Sequence, residues 1–162
     1  MSTIIDNLIT DRTQADVERV KALAAKGFAA MTAAERAEWL AGMKGAYNAS
    51  DMNRVGTALN YLAARLAPVC GMSIAWSAKT DWAVTDIATA SQAETYRQQI
   101  QDIRGALAYP EGTPDAPVLD RLTYTGANDI ERILALCEEL IDNITKAFRY
   151  TGAAECATGG LI

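Results

Sequence analysis

Between Tyr124 and Arg149 the residues Ala127, Ile130, Leu134, Cys137, Ile141, Ile144 and Phe148 recur at alternating steps of three and four. A helix brings that spacing onto one side, because 3.6 residues complete a turn. The pattern predicts one helix of roughly 26 residues, about 39 Å long at 1.5 Å per residue. Ile133, Leu136 and Leu140 widen its apolar face beyond the seam of a two-stranded coiled coil, so the helix must bury its face against neighbours on two sides. An all-α fold is expected, a helical bundle of about five helices with a long C-terminal amphipathic helix. Lys146 and Arg149 complement the helix dipole at its end, and Asp142 lies one turn before Lys146.

The other helices carry their own punctuation. Asp11 followed by Gln14 resembles a capping box, which predicts a helix from about Thr10 that stops at Gly27. Thr32-Ala33-Ala34-Glu35 is a second such box, followed by Trp39, Leu40 and Met43 before Gly45. Ser50 is expected to cap a third helix, with Met52, Val55, Leu59, Leu62 and Leu66 on one stripe and Pro68 closing it. Thr89-Ala90-Ser91-Gln92 opens a fourth, from about Ala90 to Ala108, with Tyr96, Ile100, Ile103 and Leu107 on one side. The stretch from Val69 to Trp82 lacks a helical period, and Pro110, Gly112, Pro114 and Pro117 mark a rigid surface loop. Residues 1–150 are expected to form a single helical domain, and 151–162, with Gly152, Gly159 and Gly160, a flexible C-terminal tail.

Composition removes several function classes. The 15 basic and 20 acidic residues give a net charge of -5 with no basic run, which disfavours nucleic acid as a partner. No 18 consecutive residues are apolar, and Asp6 and Asn7 interrupt the apolar N-terminus, so neither a membrane span nor a signal peptide is expected. The chain has no histidine, and with it go the commonest general base and the commonest metal ligand. Cys70, Cys137 and Cys156 form no C-x-x-C pair; they are expected to be reduced thiols, with Cys137 a small buried hydrophobe. No phosphate-cradling glycine loop is present. The paired carboxylates Glu138 with Asp142 or Glu139, and Asp81 with Asp86, are better explained as solvated or capping groups than as a glycosidase pair. The expectation is a chain that is not an enzyme, with no catalytic residue, cofactor or metal.

Two clusters remain. Lys79-Thr80-Asp81-Trp82, near Trp76, puts charge, hydroxyl and large aromatics in one loop. Either this is a contact edge for a partner, joined by Tyr150, or Trp82 plugs the end of the bundle while Asp81 caps a turn. Tyr47, Asn48, Asp51, Asn53 and Arg54 gather at the entry of the third helix, where capping and an internal ion pair explain most of them.

Four phrases carry a resemblance: Leu8-Ile9-Thr10-Asp11-Arg12-Thr13-Gln14-Ala15-Asp16-Val17, Gly42-Met43-Lys44-Gly45-Ala46-Tyr47-Asn48, Lys79-Thr80-Asp81-Trp82, and Leu122-Thr123-Tyr124 with Ala127-Asn128-Asp129-Ile130-Glu131. In this order they resemble a helical region of tail-associated or fibre-associated structural proteins in prophages of Gram-positive, gut-type bacteria. The likeness runs from Leu8 to Tyr150 and departs at Gly126 and after Gly152. It implies a bacteriophage virion component at the tail tip, baseplate or fibre, working by assembly with other phage tail proteins or with itself. It implies a place in the virion, or in the host cytoplasm before assembly, and it carries no catalytic residues. The alternative of the same chemistry is a small phage-encoded inhibitor or adaptor that binds a host protein.

Overall fold

The structure, a computed structural model, describes residues 2–158, with side chains through residue 148. It is all-helical: α1 (Thr3–Asp6), α2 (Gln14–Lys26), α3 (Ala33–Ala41), α4 (Ala49–Cys70), α5 (Ala90–Ala106) and α6 (Tyr124–Thr158), with a 3-10 turn at Phe28–Ala30. No strand occurs among the described residues. The five expected helices are present, and α1 is an addition.

The capping boxes at Thr32 and Glu35 and at Thr89 and Gln92 open α3 and α5 as expected. Two starts differ. Helix α2 is capped by Thr13 with Asp16, not from Thr10 or Asp11. Helix α4 is capped by Asn48, whose side chain accepts from the amides of Ser50 and Asp51 while Asp51 returns a bond to the Asn48 amide. Ser50 lacks a carboxylate three residues on to complete that exchange, so the start moves two residues earlier. Pro68 does not end α4. It sits within the last turn, where it forgoes its own bond to the Ala64 carbonyl while the helix runs on to Cys70, and Gly71 closes the helix in the left-handed region at φ 66°. The α6 backbone continues to Thr158, past the stop expected near Arg149. Residues 159–162 of the expected tail, and the side chains from Arg149 onward, lie outside the described residues.

Three bonds fix the topology. Arg54 meets Glu131, Tyr61 meets Glu138 and Arg65 meets Asp142, each pair 77 residues apart. A constant offset means that α4 and α6 run side by side in the same direction. Helix α5 shares that direction, because Tyr96 near its start meets Tyr47 just before α4, while Tyr109 beyond its end meets Cys137 midway along α6. Parallel neighbours cannot be joined by tight turns. The segments 71–89 and 107–123 therefore return the chain along the bundle.

The first of these returns is held by two asparagines on one face of α4. Asn60 donates to the Ala78 carbonyl at 3.0 Å and accepts from the Ala78 amide at 2.7 Å. Asn53 repeats the exchange with Trp82, at 2.9 and 2.7 Å. Between them Gly56 lets the segment lie flat, since a Cβ there would stand 2.3 Å from the Lys79 carbonyl oxygen. Each carboxamide thus replaces the backbone partners that an extended segment lacks.

The main core joins Val55, Leu59, Leu62 and Leu66 of α4 to Ile100 and Ile103 of α5 and to Ile130, Ile133, Leu134, Cys137 and Ile141 of α6, all fully buried. Each large side chain removed from water there stabilises the fold by about 1.5–3 kcal/mol before conformational costs. Helices α2 and α3 close over a smaller core of Leu23, Met31 and Met43, with Val20 and Trp39 against it. That hairpin reaches the bundle where Gly45 lies on the Asp16 backbone; a Cβ would approach the Asp16 carbonyl oxygen to 2.1 Å.

Candidate functional site

Four charged side chains are interlocked where residues 9–12 pass between α4 and α6. Glu131, fully buried, accepts from the Ile9 amide at 2.6 Å, from Arg12 Nη2 at 2.6 Å, and from Arg54 Nε and Nη2 at 2.9 and 2.7 Å. Asp51 takes Arg12 Nη2 at 2.9 Å, a bond from Arg54, and the Asn48 amide at 2.9 Å. Asn128 clamps the Arg12 backbone in both directions, each bond at 2.9 Å. Two guanidinium groups balance two carboxylates, and the carboxylates are engaged by the protein's own donors. Such a cluster fixes the N-terminal segment to the bundle. The Tyr47 and Tyr96 hydroxyls share a hydrogen bond of 2.5 Å beside it, and burial pushes both phenols above their ordinary range.

A second set lies further along the same helices. Arg65 pairs with Glu138 and, at 2.8 Å, with Asp142, while Tyr61 donates to Glu138 at 3.0 Å. The hydrogen bond from Arg65 holds the Asp142 carboxyl below its usual range. Glu138 and Asp142 are thus ion-pair partners across a helix interface. Asp81 and Asp86 lie in the return segment: Lys79 binds Asp81 at 2.6 Å, and Asp86 accepts from the Ala83 amide at 3.0 Å. Among the described residues, no group of three or more Cys, Asp or Glu side chains is arranged to hold a metal ion.

The expected contact residues divide. Lys79, Asp81 and Trp82 come together, the Lys79 ammonium lying 5.0 Å from the centre of the Trp82 ring. Asp81 faces solvent, whereas Trp82 is only 8% exposed and its indole N–H has no acceptor among the described residues. Trp76 is turned toward α5, donating to Asp102 at 2.7 Å. The Tyr150 side chain lies outside the described residues. Trp82 is thus largely buried yet outside both core clusters, and it borders a cleft.

That cleft, of about 500 Å³, opens between α3 and the return segment at the N-terminal end of α4. Val20, Trp39, Leu40 and Met43 form one wall, Met52 the floor, and Trp82 with Val84 the other wall. Leu40 is 74% and Val84 97% exposed. The lining thus offers apolar side chains to solvent from both α3 and the return segment. Asp86 is the charged residue in its lining, and Asp81 stands nearby. Sequence reasoning had Trp82 but not Trp39, Leu40 or Val84 as parts of one site; they are distant in the chain and share no motif.

No protein-family model, no curated protein and no solved structure matches this chain.

Proposed function

We propose that this protein is a non-catalytic docking component of a bacteriophage tail, baseplate or fibre, and that it works by presenting the cleft between α3 and Trp82 to a neighbouring protein. The observation that carries the reading is the pairing of that exposed apolar cleft with ionisable groups that are engaged elsewhere. The largest charge clusters are consumed in holding α4 and α6 together, whereas Leu40 and Val84 face water with no role in the core. The virion assignment itself comes from the four sequence phrases that resemble prophage tail and fibre proteins. The cleft adds a place for the contact such a component needs.

The test is mass spectrometry of purified particles from a phage carrying this gene, with the wild-type chain and with Leu40→Asp compared at equal expression. Wild-type protein in the particle and a depleted variant are expected. A wild-type chain absent from particles that captures one host protein through the same cleft would move the reading to an intracellular adaptor.

A further inference from the structure

The cleft and the end of α6 lie at opposite poles of the bundle. The cleft is lined by Asn48, Ala49, Ser50 and Met52 at the start of α4. With the 77-residue register, the last residue of α4, Cys70, is level with residue 147 of α6. Helix α6 continues to Thr158, so it overruns its neighbour by about eleven residues, or about 16 Å. It does so pointing away from the cleft, which is the full length of α4, about 33 Å, behind it. While helical, that overhang cannot reach the cleft of its own chain.

We propose that the cleft receives the C-terminal part of α6 from a second copy of the chain, joining protomers head to tail. The reading of the cleft as a docking site underlies this step, which names the occupant. Phe148 is 71% exposed at the base of the overhang, beside Pro68 and Val69. It is flanked in sequence by Lys146 and Arg149, and no acidic residue occurs between Thr145 and Ala154. An aromatic residue between cations suits a cleft whose walls are Trp, Leu, Met and Val. The acid in its lining, Asp86, is only loosely offset by Lys79, 3.9 Å away and bound more closely by Asp81. A contact between two different patches does not close on itself unless its rotation does, so it builds rows or rings.

Sedimentation velocity on the full chain tests this. Wild type should add protomers as its concentration rises, and Leu40→Asp and Phe148→Asp should each be monomeric, their association weakened by at least about tenfold. Mixed, the two variants should form one-to-one dimers and nothing larger, because only the intact α6 end of the first and the intact cleft of the second remain. Far-UV circular dichroism checks the folds, and Val84→Asp on the facing wall replaces Leu40→Asp if that variant fails to fold. Wild type monomeric up to on the order of 1 mM, either variant alone still associating, or a mixture that stays monomeric would each overturn the proposal. A monomeric wild type that still enters particles through Leu40 loses only this step and keeps the docking function.

Discussion

Glu131→Gln probes the buried cluster with almost no change of shape. Glu131 accepts four hydrogen bonds, two of them from Arg54, and is fully buried. The amide keeps one acceptor oxygen and turns an N–H₂ toward groups that can only donate. It also leaves the Arg12 and Arg54 guanidiniums facing Asp51 alone, an uncompensated buried charge. Removing one partner from a buried ion pair costs about 3–5 kcal/mol, a large part of the roughly 5–15 kcal/mol by which a domain is stable. With a urea dependence of about 2 kcal/mol per molar, the unfolding midpoint should fall by about 2 M. Urea titration followed by circular dichroism and tryptophan fluorescence measures this. Asp142→Asn is the control. Its side chain is 36% exposed, and the loss should stay below about 1 kcal/mol. A Glu131→Gln loss no larger than that of the control would refute the idea that this cluster locks residues 9–12 to α4 and α6.

Asn60→Ala removes both bonds to Ala78 and should cost about 1–3 kcal/mol, with faster hydrogen exchange at the Ala78 amide than at amides of α5. Gly56→Ala places a methyl against the Lys79 carbonyl and should lift the return segment at a cost of about 1–3 kcal/mol, read as a changed Trp82 environment in fluorescence. Glu35, bonded by Lys26 and by the Thr32 amide, should titrate at about 2 and not at its ordinary 4.5. Because its folded pKa is depressed, its contribution is complete above pH 4.5 and is lost as pH falls toward 2; carboxyl-detected NMR with amide exchange across α3 follows both.

The helices were legible where local chemistry decides them. Residues Thr32 with Glu35 and Thr89 with Gln92 satisfy each other's neighbours over three positions, and the α6 stripe repeats often enough to exclude any period but a helical one. The α4 start misled because Asn48 and Ser50 are both good caps, and only the return bond from Asp51 separates them. Helix α1 is too short to show a period. The parallel order of α4, α5 and α6 left one trace, the length of the two connections, which exceeds what an antiparallel turn requires. Arg12 and Glu131 are 119 residues apart, so no spacing rule joins them. The reading of Glu138 as a solvated carboxylate fails for the same reason: it is buried and paired with Arg65 of α4, and nothing local to α6 separates it from its exposed neighbour Glu139. The cleft was the least legible part, because it depends on where the α2–α3 hairpin comes to rest against the segment carrying Trp82.

A photo-reactive benzoyl-phenylalanine in place of Leu40, irradiated during particle assembly, reads the occupant of the cleft directly. A cross-link from position 40 to a tail protein or to the α6 end of a second copy is the expected result. Cross-linking of the same yield and partners from an exposed position midway along the bundle, such as Glu139, or none from position 40, would contradict a cleft that docks.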